Sequence, residues 1–177
     1  LSRTFNLSDP WIVRKLTMRP KRLLKAVDAV NFEIERGTTY ALVGESGSGK
    51  STIANMVVGL LAPSAGSITI DGQNLGDASM SRQEQQRLRR RIQMVFQSPY
   101  ASLNPRWRVG DILSEPMRAF KLIDGATAQR KRVAQLLEQV GLSDSDASKF
   151  PHEFSGGQRQ RISIARALAS QPEVIIC

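Results

Sequence analysis

The sequence predicts an α/β fold, and three observations carry that expectation. A short apolar run, Thr39 to Val43, leads into the glycine-rich stretch 44–49, and helix-spaced apolar residues follow from Ser51. A β-branched run from Ser67 to Ile70 ends in Asp71 and Gly72, a hairpin turn signal. A helix-rich insert, residues 98–156, is set between strand-like runs at 92–96 and 173–177.

From Ala26 to Ile34, Val27, Val30, Phe32 and Ile34 partly alternate with polar neighbours, and Arg36 and Gly37 supply a turn. This pattern predicts an edge or antiparallel strand. Thr39 to Val43 is apolar throughout and stops at Gly44, as expected of a central strand buried on both faces. Ile53, Met56, Val57 and Leu60 then follow helical spacing until Pro63 forbids continuation. A charged stretch, Arg82 to Arg91, predicts a helix, and Ile92 to Phe96 a strand closed by Gln97. Within the insert, Pro99, Pro105 and Pro116 mark loops. Val133, Leu136, Leu137 and Val140 then form one helical face, capped by Gly141. Ser155 to Leu168 predicts a last helix, which Pro172 separates from the final strand. No internal repeat is present.

The 177 residues, 41% hydrophobic, suffice for one core and one domain. Charged residues or glycines interrupt every apolar run before the roughly 18 residues a bilayer-spanning helix needs. The first thirty residues mix Asp9, Pro10, Arg14, Lys15, Arg19 and Lys21, unlike a secretory leader. The lone cysteine, Cys177, excludes an intramolecular disulfide and a cysteine-rich metal site, which suits a reducing compartment. A net charge of +9 fits a phosphate-bearing partner (nucleic acid, lipid headgroup or nucleotide) or simply solvated Lys and Arg on helical faces. For Arg87, Arg89, Arg90 and Arg91 the solvated face is the expectation. Leu1 in place of methionine, and a last strand that stops mid-run at Cys177, read as interrupted ends.

Gly44, Glu45, Ser46, Gly47, Ser48, Gly49, Lys50 and Ser51 match G-x-x-x-x-G-K-[ST], the phosphate-binding loop, here between a predicted strand and a predicted helix. Glycines reach backbone angles closed to residues with a Cβ, so consecutive N–H groups can curl around a phosphate oxygen. Lys50 supplies a full charge for the β- and γ-phosphates, and the Ser51 hydroxyl suits Mg²⁺. The helix beginning there, at Ser51 and Thr52, points its positive end at the anion. ATP or GTP with magnesium is the implied ligand.

Ser155, Gly156, Gly157 and Gln158 form a second constellation. Ser155 with Gln158 three residues on satisfies a capping box and would start the helix. Two glycines at a helix start also expose unpaired N–H groups, an anion site of the same physical kind.

These two motifs, with Gln97 between them, resemble the ABC transporter ATPases in order and spacing over nearly the whole chain. The resemblance implies a P-loop NTPase core with an antiparallel β-subdomain and a helical subdomain, incomplete at the C-terminus. Residues 1–97 would be β-subdomain and core, 98–156 the helical subdomain, and 157–177 the signature helix and the start of the Walker B strand. It implies that ATP and Mg²⁺ bind at 44–52, with Lys50 and Gln97 catalytic and with Ser51 and Gln97 at the metal. Taken alone, a glutamine after a strand is usually solvent-facing. Residues 155–158 would contact nucleotide held by a second ATPase subunit, head to tail. Phe5 stands about where the family places an aromatic on adenine, or else packs in a core near a frayed terminus. Residues 97–106 (Gln-Ser-Pro-Tyr-Ala-Ser-Leu-Asn-Pro-Arg), with Pro151, His152 and Glu153, resemble the oligopeptide, dipeptide and nickel importer ATPases.

The expectation is therefore a subunit that energises an importer of peptides or a related small solute. It would lie on the cytoplasmic side of the bacterial inner membrane, held by transmembrane permease subunits and served indirectly by an extracytoplasmic solute-binding protein, with no nucleic acid partner. The family's Walker B aspartate, catalytic glutamate and switch histidine would follow Cys177, so these residues alone are expected to turn over ATP negligibly. His152 precedes the signature and is not that histidine. The competing readings are a non-transport ABC ATPase acting on nucleic acid or ribosomes, which the charge suits, and a degenerate cassette that binds ATP only for regulation.

Overall fold

The computed structural model describes residues 1–8, 13, 15 and 20–177. The segment with Asp9, Pro10, Trp11, Arg14 and Arg19 lies outside the described residues. Contacts divide the chain into two units, Leu1–Ser79 and Met80–Cys177.

In the first unit, β1 (Arg3–Asn6) pairs antiparallel with β2 (Leu23–Val27), placing Phe5 opposite Leu24. The expected strand 26–34 therefore begins earlier and stops at Val27. Ala29 adopts a left-handed φ of 50° and donates its N–H to Ser2 Oγ (2.9 Å), which turns the chain out of the ladder. Helix α1 (Lys50–Val57) ends well before Pro63. Gly59, at φ 75°, lets its own N–H reach the Met56 carbonyl (3.0 Å) and that of Leu60 the Asn55 carbonyl (2.9 Å), a Schellman closure. β3 (Thr69–Ile70) and β4 (Gln73–Asn74) form the expected hairpin. Val27, Ile53 and Met56 are buried, with Val30, Phe32 and Ile68 packed around them.

Residues 39–43 do not form the buried central strand that their composition predicts. Tyr40, Leu42 and Val43 are exposed, Val43 by 90%. A strand of this kind exists only through ladders to its neighbours, and among the described residues no strand pairs with it. Tyr40 instead stacks on Phe32, ring centroids 5.2 Å apart.

In the second unit, α2 (Arg82–Arg91) starts at a capping box between Ser81 and Glu84. It leads into β5 (Ile92–Met94), which runs parallel to β6 (Val174–Ile176) with Ile92 opposite Val174. Arg91 clamps the start of this pair, holding both Glu173 carboxylate oxygens at 2.6 and 2.8 Å. The helices α3 (Pro99–Ser102), α4 (Val109–Ala119) and α5 (Ala126–Gln139) follow, so Pro99 and Pro116, expected to mark loops, lie within helices instead. Two 3-10 turns, Asp144–Ser148 and Pro151–Glu153, lead to α6 (Gly156–Ala169). Val109, Leu113, Met117, Leu136, Leu137 and Ile162 are sealed in one core built by α4, α5 and α6. Gly141, at φ 67°, closes α5 as the sequence predicts. Among the described residues no helix is long and apolar enough to cross a membrane.

Candidate functional site

Residues 44–49 form a loop between the apolar run and α1, exposed at 44–48 and half-buried at Gly49, and the motif's Lys50 and Ser51 open the helix. Gly47 and Gly49 hold φ of 83° and 92°, the left-handed region where a Cβ is strained. At Gly49 a Cβ would also stand 2.3 Å from the Ala26 carbonyl oxygen. Glycine is thus required there by angle and by space, and β2 is what imposes the space.

Gly49 is also the N-cap of α1, and it supplies no side-chain cap. No acidic residue stands in the first turn. The first intrahelical bond runs from the Ile53 N–H to the Gly49 carbonyl (2.9 Å). The amides of Lys50, Ser51 and Thr52 therefore sit at a helix start with no side chain assigned to satisfy them. Lys50 bends back over the loop, its Nζ donating to the carbonyls of Gly44 (2.7 Å) and Glu45 (2.6 Å) and toward Ser48 Oγ (3.3 Å). These bonds brace the loop around a cation. Ser46 and Ser48 are exposed, and so is Ser51 at the second helical position. Positive charge, open amides and a hydroxyl thus converge at one place. The arrangement suits an anion with several oxygens and, through Ser51, a hard cation beside it. Phe5 lies in the same unit, on β1, with the Arg3 guanidinium 4.8 Å over its ring.

The remaining expected residues belong to the second unit. Gln97 is exposed in the bend between β5 and α3. Ser155 caps α6, its Oγ accepting from the Gln158 N–H (3.3 Å) while Gln158 Oε1 accepts from the Ser155 N–H (2.9 Å). The capping box that the sequence allows is formed. It accounts for Ser155 and Gln158 but not for the glycines. Gly156 and Gly157 have ordinary negative φ, and a Cβ on either would meet nothing within 4 Å. Among the described residues nothing demands glycine at either position.

The profile of the family described as ABC transporter matches residues 27–177. The chain belongs to that family. A curated relative, the putative oligopeptide transport ATP-binding protein YkfD of Bacillus subtilis (strain 168), is 51% identical over 156 residues, covering 88% of this chain and 47% of its own length. The chain thus spans about half the length of the curated relatives it matches first. Among solved structures, the dimeric post-hydrolysis state of the ATP-binding cassette MJ0796 bound to ADP and Pi superposes with a TM-score of 0.79. It is 28% identical and covers 98% of this chain and 69% of that one. cbiO1 from Clostridium perfringens, part of the ABC transporter complex cbiONQ, gives a TM-score of 0.70 at 32% identity, covering 85% of this chain and 57% of its own.

Three arginines of this ABC chain were visible only as charge in the sequence, and the structure shows what they touch. Arg159 is buried, its Nε donating to the Pro151 carbonyl (2.7 Å) and Nη2 to that of His152 (3.3 Å), which fixes the turn before Ser155. Arg161 donates to the carbonyls of Val140 (3.1 Å) and Gly141 (2.9 Å) at the end of α5. Arg166 reaches α3 and α4. For Arg166 alone spacing adds a signal: Ser163 and Arg166, three apart on a helix, share a face.

Proposed function

We propose that this chain is the ATP-binding part of a subunit that hydrolyses ATP to energise an ABC importer of peptides or a related small solute. The observation that carries the reading is the loop at 44–51, with its positive-φ glycines, uncapped helix start and braced lysine. In this reading the amides of residues 47–51 hold the polyphosphate, together with Lys50 and the backbone at Gly44, Glu45 and Ser46. Thr52 closes the first turn. Ser51 and Gln97 would hold Mg²⁺, which when bound offsets charge on the β- and γ-oxygens and helps polarise the attacking water. Phe5 stacks on the adenine.

Residues 155–158 act on a second subunit's nucleotide. Glycines whose added Cβ would meet nothing among the described residues support an outside ligand approaching the backbone. The partners are then a second ATPase subunit, head to tail, and transmembrane permease subunits on the cytoplasmic side of a bacterial inner membrane. A solute-binding protein acts indirectly. The division 1–97, 98–156 and 157–177 belongs to the same proposal. The name of the Bacillus relative supports peptide cargo, and the titles of the solved structures support a nucleotide-bound dimer and a transporter complex.

Phosphate release tests the reading. The full-length protein containing this chain hydrolyses MgATP and loses that activity on Lys50→Ala; a Lys50→Ala protein as active as the wild type contradicts it. The 177 residues alone, with no acidic residue after Glu173, turn over negligibly, and Lys50-dependent release at a transporter-like rate would refute that part. The +9 charge favours one competing reading, a non-transport ATPase on nucleic acid. Salt-sensitive binding of generic DNA or RNA, without permease association, would establish it instead.

A further inference from the structure

α3 begins two residues after Gln97, and α6 begins at the 155–158 loop. Two polar links join these helices. The Ser102 and Ser163 hydroxyl oxygens stand 3.3 Å apart. Arg166 Nη1 donates to the Ser102 carbonyl (2.7 Å), at the last residue of α3, while its Nη2 meets the Glu115 carboxylate of α4 (3.3 Å). α3 is a single short turn and holds itself weakly, so its placement depends on what it is fastened to. The guanidinium suits this task because its planar fork serves two acceptors in different directions at once.

Arg166 is not sealed in the core. It remains 37% exposed and lines a cavity of about 230 Å³ with Ser102, Asn104, Trp107, Ile112 and Glu115. Packing alone does not need a charged group at this position. We propose that Arg166 is a positioning residue: it fastens the segment carrying Gln97 to the helix that starts at residues 155–158, so that the two are presented together. The inference rests on the ATPase reading above, and it assigns Arg166 no contact with nucleotide.

The test uses the full-length protein, first confirmed to hydrolyse MgATP; a wild type without activity counts against the ATPase reading and not against Arg166. Arg166→Met is expected to lower kcat about tenfold, the equivalent of one charge-assisted hydrogen bond, with KM for MgATP within about twofold of wild type. Arg166→Lys regains the Ser102 carbonyl but not both acceptors, so it recovers part of kcat. Glu115→Gln falls least, since that pair is partly exposed and screened. If Arg166→Met does not fold, Arg166→Lys against wild type decides. An unchanged kcat in a folded Arg166 variant overturns the proposal. So does a KM that rises as much as kcat falls, or a kcat that falls only in step with the thermal midpoint and is not recovered by lysine.

Discussion

Among the described residues, Leu1–Ser79 bury a cluster of three side chains, Val27, Ile53 and Met56, whereas Met80–Cys177 bury twelve in one cluster. The first unit leaves Leu23, Leu24, Tyr40, Leu42, Val43 and Leu60 at the surface. The second covers its helices with one another. Yet the phosphate loop belongs to the thinner unit. The contrast teaches that such a loop can be specified by local backbone rules, namely left-handed glycines, a helix start and a lysine reaching five and six residues back, without a deep core beneath it.

The contrast breaks most easily at the core. Leu137→Ala should cost about 3 kcal/mol, the transfer and cavity terms of a sealed leucine, while Val43→Ala should change stability by less than about 0.5 kcal/mol. Urea unfolding of both variants measures this, and equal costs would show that 39–43 is buried in solution.

Gly49→Ala comes next. A residue with a Cβ held left-handed costs about 1–2 kcal/mol, and this one would also strike the Ala26 carbonyl. Roughly 2 kcal/mol of stability should be lost, and MgATP affinity with it. Wild-type affinity would mean that the loop does not need this angle.

At α6 the two kinds of residue should part. Ser155→Ala removes the cap and should cost about 1 kcal/mol. Gly157→Ala should be neutral or stabilising by less than about 1 kcal/mol, since alanine is the better helix former, yet it should depress phosphate release by the full-length protein. A clear loss of stability at Gly157 would show that its glycine serves the fold.

The smallest effect is a pH dependence from one ion pair of the second unit. Lys149 Nζ donates to Asp146 Oδ1 (2.7 Å) and holds this carboxyl below its ordinary value near 3.8, with the Ser143 N–H assisting. A carboxyl depressed in the folded state stabilises fully above the unfolded value and loses that contribution as pH falls through the folded one. Asp146→Asn should therefore flatten the stability profile below about pH 4. An unchanged slope there would remove the pair as its cause.

Much of this was legible in the sequence where contacts are local. The helix start at Gly49, the Ser155–Gln158 box, the Gly141 cap and the 69–74 hairpin each follow from residues within a few positions of one another. The misses are non-local. Apolar content at 39–43 predicts burial only if partner strands are present. The exit of β2 at Val27 depends on Ser2, and the demand for glycine at 49 comes partly from Ala26. The role of Arg166 is likewise non-local, since its acceptors lie about fifty and sixty residues away.

Backbone amides of residues 47–51 gripping a polyphosphate is the claim on which the rest stands, and nuclear magnetic resonance reads it directly. When ¹⁵N-labelled protein is titrated with MgATP, the amide signals of Gly47, Ser48, Gly49, Lys50 and Ser51 should shift together and saturate. Adenosine alone should leave them in place. Saturating MgATP that moves none of these amides, or moves them no more than adenosine does, would contradict it.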